Sequence, residues 1–464
     1  MTRQPIGQRS ETVRRANLSS IVLELHLRGA ASRSELVART GLTRSAIREL
    51  TGELIEAGLA REERGPSLGS PGRPSPIVLP EAYGLVVLGL ELSVDSLAAA
   101  LVGFGGRVLA RARVNRPRGS LSVEASVDEL VRLAGPMLAM VTDSSRLAGV
   151  GLAVVGSVRR EDGFVASAPN LGWRDVPLGT LVAAALDVEA AITVANDADL
   201  GALAERRRGA ARGIDDLVFI SGEVGVGGGV IAGGRPMTGV AGYAGEIGHV
   251  AVNPAGATCR CGSVGCWETE IGEPALLKRA GLPADGGRDG VDRLLASAGT
   301  GQPQALAALD ATGAWLGTGL AGLVNIFDPR VIVLGGLFSR IHPFVAPTVA
   351  ARLERHALAA SRALVRVVPA ELGPDAVLLG AAEAAFDAFL ADPAARLQPR
   401  AAGAAGARST TLPGESPAPA RPRAGAVRGL RRGGTMRRDI PAARSAPRDS
   451  AGVAHHARGE GGSD

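Results

Sequence analysis

The sequence predicts an α/β protein with a small helical head, two similar α/β halves around a cleft, and a C-terminal tail that does not fold. Apolar residues at helical spacing and a glycine break occupy the first 80 residues. Apolar strand runs alternate with helical stretches from Gly84 to about Leu390. Beyond about Pro393 the chain has almost no apolar pattern, so it cannot bury enough surface to fold. We therefore expect domains at 1–80, at 81–393 with a lobe boundary near 195, and at 394–464, a disordered basic tail.

Positive charge is concentrated at the two ends of the chain. Of the formal net charge of +5, the first 80 residues carry 12 arginines against 8 glutamates, and residues 397–464 carry 12 arginines against 5 acidic residues. The tail's arginines can assist DNA binding electrostatically, although the composition favours a dispensable segment. The chain opens without a charged-then-apolar signal, and its apolar runs stay well below the ~18 residues of a membrane span. This pattern predicts a cytoplasmic protein with no membrane partner.

Three helices and a short glycine turn are expected in the head. Residues 11–28 carry apolar side chains at helical spacing. The capping box Ser32–Glu35 should start a second helix, which Gly41 ends. Thr43 can cap a third helix that runs to about Ala57. Helix, glycine turn and helix in this order form the helix-turn-helix layout.

A wing of two short strands should follow the third helix. Residues 59–63 and 75–79 have strand patterns and flank a loop rich in Gly, Pro and Arg, whose Arg73 could enter a minor groove. The first half of the third helix presents polar and basic side chains where base edges are read. The residues that we expect to contact DNA are Ser34, Thr43, Arg44, Ser45, Arg48 and Arg73. The alternative is a three-helix interaction domain with a solvated basic face, but capping box, turn, wing and charge together favour DNA binding.

The stretch from Gly84 to Leu390 predicts two rounds of strands and helices. The first round is expected to have strands at 84–92, 93–102, 108–114, 148–155 and 191–195 and helices at 122–140 and 178–186. Its last strand places Asn196 and Asp197 at the carboxyl end, where ligand sites of open α/β sheets lie. The second round starts at 217–220, includes a strand at 331–334, and is closed by a helix from Ala376 to about Leu390 that returns to the first lobe. The glycine stretch Gly225–Gly229 within it favours a tight turn between strands over a nucleotide loop.

All three cysteines lie within eight positions of one another and follow a histidine. Zn²⁺ prefers four tetrahedral ligands, and a Cys₃His set forms a closed structural site without a position for a reactive water. A disulfide with one spare thiol is the alternative, but Cys259 and Cys261 are too close in sequence to pair easily. Glycines at 256, 262 and 265 let the backbone turn between the ligands. We therefore predict structural Zn²⁺ bound by His249, Cys259, Cys261 and Cys266.

Several stretches of the chain together resemble one known family. They are the helix-turn-helix with its wing, Ala168–Trp173, Asn196-Asp197, Gly245–His249 and Cys259–Cys266. This combination, over roughly residues 11–390, resembles the ROK family of repressors, open reading frames of unknown role and sugar kinases. The resemblance implies a two-lobed actin-like ATPase (ribonuclease H-like) fold, a zinc site and a sugar cleft, in a homodimer or homotetramer. Members with such a head are sugar-responsive transcriptional regulators.

The same resemblance implies roles for residues of the cleft. Asp197 matches the carboxylate that takes the proton from the attacking sugar hydroxyl in kinases. His249 would serve two sites, with one ring nitrogen on zinc and the other towards the sugar. The residues that would hold sugar hydroxyls are Asn170, Asn196, Asp197, Glu246, His249 and Glu268. Asn170 and Asn196 could instead simply cap turns.

Both phosphate-binding motifs of the kinase members are altered in this chain. The first, Asp-x-Gly-Gly-Thr, is replaced by Glu-Leu-Ser-Val-Asp at Glu91–Asp95. The second, Gly-Thr-Gly-x-Gly, is replaced by Glu-Val-Gly-Val-Gly at Glu223–Gly227. Each change brings an acid towards the phosphates, and like charges a few ångströms apart cost about 1–4 kcal/mol. We therefore expect neither ATP binding nor catalysis, although Asp197 occupies the kinase base position.

The sequence thus predicts a DNA-binding transcriptional regulator whose partners are operator DNA and a small sugar. We expect it to repress carbohydrate genes and to be associated with the nucleoid when bound to DNA. One alternative is an active ROK sugar kinase, which phosphorylates a hexose with ATP and carries a DNA-binding extension. The other alternative is a pseudo-enzyme scaffold that binds protein.

Overall fold

The computed structural model describes residues 6–63, 76–119 and 122–397. The predicted wing loop, with Arg73, lies outside the described residues, and so does the predicted tail beyond residue 397. Among the described helices, none combines the length and the hydropathy that crossing a bilayer requires.

The head consists of helices on a small antiparallel sheet. Its elements are α1 (Ile6–Arg28), β1 (Ala31–Ser32), α2 (Arg33–Thr40), α3 (Arg44–Glu56), β2 (Ala60–Glu63) and β3 (Ile77–Pro80). The Ser32 hydroxyl accepts from the Glu35 backbone N–H at 3.1 Å, and the Glu35 carboxylate accepts from the Ser32 N–H at 2.8 Å, so the predicted capping box is confirmed. Gly41 ends α2 in the left-handed conformation with φ of 72°, and Thr43 caps α3. The predicted order of helix, glycine turn and helix is therefore confirmed.

The strands of the head pair in the order β1-β3-β2. The pairing of β2 with β3, with Glu63 opposite Ile77, confirms the two predicted wing strands. The strand β1 was not predicted from the sequence because two residues carry no alternation pattern. It ties the start of α2 to the wing sheet through Ala31, which lies opposite Val78.

The first lobe contains a mixed sheet with strand order β11-β7-β4-β5-β6. Its elements are β4 (Val86–Leu92), β5 (Ser96–Gly103), β6 (Arg107–Asn115), α4 (Val123–Leu138), β7 (Leu147–Val154), β8 (Ser157–Arg159), β9 (Phe164–Ala168), β10 (Trp173–Val176), α5 (Leu178–Leu186) and β11 (Ile192–Asn196). Strands β4, β7 and β11 are parallel, whereas β4, β5 and β6 form an antiparallel meander. The short strands β8, β9 and β10 form a separate sheet that was not predicted.

The second lobe repeats this topology with the strand order β14-β13-β12-β15-β16. The elements after β11 are α6 (Asp197–Arg208), β12 (Leu217–Gly222), β13 (Val226–Ala232), β14 (Arg235–Pro236), α7 (Trp267–Ile271), α8 (Glu273–Arg279), α9 (Gly287–Gly299), α10 (Pro303–Phe327), β15 (Val331–Gly335), α11 (Gly336–His356), α12 (Ala359–Arg362), β16 (Arg366–Pro369), α13 (Ala376–Ala391) and α14 (Ala394–Leu397). Again an antiparallel meander, here β12, β13 and β14, is followed by parallel strands. The prediction of two similar α/β halves is confirmed.

The glycine stretch Gly225–Gly229 lies mostly inside β13, so its interpretation as a turn was wrong beyond its first residue. The turn itself comes earlier, where the Glu223 N–H donates to the Gly225 carbonyl. A Cβ at Gly229 would overlap the carbonyl oxygen of Ala198 in α6. The glycines of this strand therefore allow a helix to pack directly against its backbone.

Helices α6 and α13 link the lobes to each other and to the head. A Cβ at Gly380 of α13 would overlap the backbone of Leu200 in α6, so the two helices are in backbone contact. One hydrophobic cluster contains Leu18 and Ile47 of the head together with Phe104 of the first lobe and Phe386 of α13. The head therefore packs on the first lobe through a continuous core. The domain boundaries near residues 80, 195 and 393 stay predictions.

Candidate functional site

A cavity of about 480 Å³ opens where both sheets present the carboxyl ends of their parallel strands. Ligands of open α/β sheets bind at this end, because loops and helix starts there supply polar groups. The predicted sugar residues all line this cavity: Asn170, Asn196, Asp197, Glu246, His249 and Glu268. The fold thus brings together side chains that lie up to 98 positions apart in the sequence.

Asn196 caps α6 and also faces the cavity. Its side-chain oxygen accepts hydrogen bonds from the backbone N–H groups of Ala198 at 2.8 Å and Asp199 at 3.2 Å. Its amide nitrogen donates to the carbonyl oxygen of Gly156 at 3.0 Å. The capping role considered from the sequence is therefore present. Asn196 fixes the backbone on which the neighbouring Asp197 is carried.

Asp197 is the first residue of α6, and its carboxyl group lies in the cavity. Burial is the largest cause that raises its pKa to about 7, and the charges of Glu91, Glu246 and Glu223 act in the same direction, against a lowering by the Ala198 N–H. A carboxyl group that titrates near neutral pH can accept a hydrogen bond or a proton from a sugar hydroxyl.

His249 lies between the cavity and the cysteine cluster. Its Nδ1 is 3.7 Å from the Sγ of Cys259, whereas its Nε2 is 3.9 Å from the Oε2 of Glu246 on the cavity side. Glu246 is held in turn by Ser157, whose hydroxyl donates to Oε1 at 2.7 Å. One ring nitrogen thus faces the thiols and the other faces the cavity, in the arrangement that the double role requires.

The four predicted metal ligands form one cluster. The ligand atoms of His249, Cys259, Cys261 and Cys266 all lie within 4.8 Å of one another, and the Sγ atoms of Cys261 and Cys266 are 3.7 Å apart. A tetrahedron with Zn–S bonds of ~2.3 Å has edges of ~3.8 Å, which fits this separation. The cysteines are free, and a disulfide needs sulfurs about 2.05 Å apart. The disulfide alternative is therefore wrong, and the cluster can hold a metal ion.

Two glycines and a tryptophan shape the loop that carries the cluster. Gly262 and Gly265 adopt φ of 95° and 73°, and a Cβ at Gly265 would overlap the Asn253 carbonyl. These two positions therefore require glycine. Trp267, directly after the last cysteine, is 1% exposed and donates from its ring nitrogen to the Trp315 carbonyl at 2.9 Å. The loop is thus anchored in the core of the second lobe.

Arg260, which lies in the loop of the three cysteines, contacts Asn170 of the first lobe, and this contact was not predicted. Its Nη1 donates to the Oδ1 of Asn170 at 2.8 Å across the mouth of the cavity. Its position between two ligand cysteines was a usable signal for a role in the site. Ser157 gave no such signal, because it lies on a short strand of the unpredicted small sheet.

Gly225 leaves the space that the side chains of Glu268 and Asn170 occupy. A Cβ at this position would lie 2.5 Å from the Oε2 of Glu268 and 2.7 Å from the Nδ2 of Asn170. Gly225→Ala is therefore expected to weaken binding of a cavity ligand by about tenfold or more, or ~1.4 kcal/mol, measured by titration calorimetry. Gly322→Ala is the control, since a Cβ there meets open space. An equal loss in both variants would contradict this role of Gly225.

Glu91, the first residue of the first altered phosphate motif, forms an ion pair within its own sheet. Arg113 of β6 forms a two-pronged ion pair with Glu91 of β4, with both N–O distances at 2.9 Å. Arg113 also donates to the carbonyl oxygen of Pro374 at 3.1 Å. Both carboxylate oxygens of Glu91 are thus occupied by one guanidinium group.

An ion-pair network crosses the cleft beside these motifs. Arg118, after β6, is 3.1 Å from the Oδ2 of Asp95 and 2.9 Å from the Oε2 of Glu273 in the second lobe. Arg288 of α9 is 3.1 Å from Asp95 and 3.4 Å from Glu223. Three carboxylates thus face two guanidinium groups, and burial raises the pKa of the Glu223 carboxyl group.

Among the described residues, the predicted DNA-facing side chains of the head lie on its surface. Ile47, Leu50 and Leu54 of α3 are buried, which leaves the opposite face to the solvent. The exposed residues of the predicted DNA interface are Ser34 on α2, Thr43 at the cap of α3, and Arg44, Ser45 and Arg48 on α3. Arg44, Ser45 and Arg48 lie in the N-terminal half of α3, directly after its cap at Thr43.

Residues 87–387 match the model of the ROK family. The chain is 28% identical to the xylose repressor of Bacillus subtilis (strain 168) over 380 residues, 82% of this chain and 97% of the repressor. A solved ROK family transcriptional regulator, a homolog of the E. coli MLC protein, has a TM-score of 0.67 and 25% identity and covers 83% of this chain and 99% of the regulator. A ROK family glucokinase from Streptomyces griseus, solved with glucose and AMPPNP, has a TM-score of 0.57 and 30% identity and covers 64% of this chain and 98% of the kinase.

The two regulators cover a larger share of the chain than the glucokinase does. The family match spans both lobes, whose repeated sheet topology agrees with the fold that the resemblance implies. The fold prediction is confirmed. The chain belongs to the ROK family.

Proposed function

We propose that the protein is a transcriptional repressor that binds operator DNA through its head and a neutral monosaccharide in its cavity. The observation that carries this proposal is that a head of helix, glycine turn and helix packs on the two-lobed ROK fold through one continuous core. The similarity to a xylose repressor over most of both chains supports it. Sugar binding would change the placement of the head and hence its affinity for DNA.

On DNA, α3 would occupy the major groove. Arg44 and Arg48 are exposed and spaced four positions apart on this helix, so both side chains can reach one stretch of base edges and phosphates. A homodimer, or a homotetramer built from it, would present two heads to a pseudo-palindromic operator. Ser34, Thr43 and Ser45 would add contacts to phosphates.

In the cavity, carboxylates and amides would bind sugar hydroxyls. Asp197, Glu246 and Glu268 would accept hydrogen bonds, and Asn170 can both donate and accept. The metal would be Zn²⁺ in a structural role, and its chemistry there would be to fix the tautomer and direction of the His249 ring. His249 would then present Nε2 to the sugar.

We infer that this chain does not transfer phosphate. Asp95 and Glu223 replace residues of the phosphate motifs, and the arginines near them are already paired with carboxylates. Asp197 would act as a hydrogen-bond acceptor and not as a catalytic base. The similarity to glucokinases keeps sugar kinase activity as the second candidate, and the retained Asp197 is the observation that favours it.

Titration calorimetry with D-xylose and D-glucose, each with and without AMPPNP and Mg²⁺, tests this function. We expect one of the sugars to bind with micromolar to millimolar affinity and AMPPNP not to bind. Phosphorylation of D-glucose by ATP that is lost in Asp197→Asn would establish the kinase instead. Absence of binding to sugar, to nucleotide and to DNA would favour the scaffold.

Sugar affinity is expected to rise with pH through neutrality. Asp197, whose pKa burial raises to about 7, is protonated below that pH and offers a full carboxylate to a hydroxyl above it. Between about pH 6 and about pH 8 the sugar Kd should fall by up to about tenfold, measured by calorimetry.

Two variants identify the group responsible for this pH dependence. Asp197→Asn should remove the slope, because the amide does not titrate. Asp199→Asn is the control: burial raises the pKa of Asp199 to about 7 as well, but its side chain does not belong to the lining of the cavity. If the pH dependence of the sugar Kd survives in Asp197→Asn and disappears in Asp199→Asn, Asp199 and not Asp197 is the group that causes it.

A further inference from the structure

A buried cluster of charged and polar side chains joins the head to both connecting helices. His26 lies on α1 of the head, Glu383 on α13, and Arg207 and Arg208 in the last turn of α6. His26 and Glu383 are 0% and 2% exposed. The proposed sugar and DNA contacts use none of these residues. A buried charged group is costly unless it is paired. The side chains of this cluster must therefore keep their mutual contacts.

His26 is held in one orientation. The Gly105 N–H donates to its Nδ1 at 3.3 Å, and its Nε2 lies 3.0 Å from the Oε2 of Glu383. Burial lowers the pKa of His26, which keeps the ring neutral. The ring also packs against Phe104 and Phe386, with centroids at 5.7 and 4.6 Å. The head helix therefore contacts the cluster through a side chain with little freedom.

The guanidinium group of Arg208 contacts the head, α13 and the first lobe at the same time. Its Nε is 2.6 Å from the Oε1 of Glu383, its Nη1 donates to the Gly105 carbonyl at 3.3 Å, and its Nη2 is 2.8 Å from the Nε2 of His26. A Cβ at Gly106, where φ is 78°, would overlap the guanidinium carbon of Arg208. The turn between β5 and β6 thus has glycine at the place where the guanidinium group lies flat against it.

Helix α6 connects this cluster directly to the cavity. It begins at Asp197, which lines the cavity, and ends at Arg208 after 12 residues, or about 18 Å. Backbone contacts at Gly380 and Gly229 pack α6 tightly between α13 and β13 of the second lobe. A tightly packed helix moves as a unit, so a shift at its first residue also displaces its last turn.

We propose that α6 transmits sugar binding from Asp197 to the head, and that Arg208 carries the displacement to His26 of α1. This inference rests on the proposed repressor function and adds the route by which sugar alters DNA binding. Arg208 is in this view a positioning residue, since it would touch neither sugar nor DNA. Glu383 fixes the positions of Arg208 and His26 relative to each other, because its Oε1 pairs with Arg208 and its Oε2 pairs with His26.

Arg208→Lys tests the route with little change in charge. A lysine has one nitrogen, so it can keep the pair with Glu383 but not the simultaneous contacts with Gly105 and His26. The control is Arg206→Lys, since Arg206 lies in the same turn but pairs with Asp215 on the surface at 2.6 Å. The probes are D-xylose and D-glucose and a DNA duplex selected by the protein from a random library.

The readout is the ratio of the operator Kd with and without saturating sugar. We expect Arg208→Lys to keep the sugar Kd and the sugar-free operator Kd within about threefold of wild type, while the ratio falls towards 1. Arg206→Lys should keep the wild-type ratio. A folded Arg208→Lys protein with the full wild-type ratio would overturn the proposal.

Hydrogen exchange on the wild-type protein gives a second test that does not depend on a variant folding. Saturating sugar should change amide exchange at the end of α1 around His26 as well as in α6, and unchanged exchange at α1 would overturn the proposal. If the wild-type protein binds both sugar and DNA but its operator Kd is the same with and without saturating sugar, the proposed function itself is refuted. The two failures are therefore distinguishable.

Discussion

Replacement of both Arg44 and Arg48 by alanine is expected to weaken operator binding by about thirtyfold or more. Both side chains are exposed on the N-terminal half of α3, where a helix in the major groove meets base edges and phosphates. A good base contact contributes about 1–3 kcal/mol, so the loss of two corresponds to at least ~2 kcal/mol. Fluorescence anisotropy with a labelled duplex, selected from a random library, measures the change.

Arg28→Ala is the matched control for this double variant. Arg28 is also an exposed arginine of the head, with 62% of its side chain accessible, but it lies at the end of α1 and pairs with Glu24. It should bind the duplex nearly as tightly as wild type, and both variants should retain sugar binding. Undiminished DNA affinity in the double variant would move the DNA contact away from α3 and favour the interaction-domain alternative.

Cys261→Ser is expected to release the metal ion and to lower sugar affinity by about 10- to 100-fold. The serine hydroxyl is a poor replacement for a thiolate ligand of zinc. Without the ion, His249 loses its fixed direction, and Arg260, which adjoins the substituted position, loses its support beside Asn170. Metal content by elemental analysis and sugar affinity by calorimetry should fall together.

Val264→Ala controls for a general disturbance of this loop. Val264 lies three residues from Cys261, is 45% exposed and is not one of the four ligands. Its replacement should leave both metal content and sugar affinity near the wild-type values. Tight sugar binding by metal-free Cys261→Ser would show that the metal does not position the sugar residues.

Local patterns predicted the head and the His/Cys cluster well. The capping box at Ser32, the break at Gly41 and the cap at Thr43 depend on residues within four positions, so the sequence carries them directly. The four predicted metal ligands lie within 18 positions in the sequence, and their ligand atoms lie within 4.8 Å of one another. The strand that ends at Asn196 was predicted at 191–195 from its largely apolar run, although it is a partly buried edge strand.

Contacts between distant segments could not be predicted in the same way. Arg118 and Glu273 are 155 positions apart, and Arg208 and Glu383 are 175 apart, so no spacing pattern relates them. The glycines of β13 were misread because their cause, the close approach of α6, lies in another element. The strands β8, β9 and β10 are too short for an alternation pattern to be distinguished from loop sequence.

The operator affinity of the wild-type protein, measured across a titration of D-xylose or D-glucose, tests directly whether sugar binding alters DNA binding. We expect tight binding to the selected duplex without sugar and a Kd that changes by about tenfold or more at saturation, within the usual range of coupling between two sites. An operator Kd that stays constant while calorimetry shows the sugar bound would contradict it.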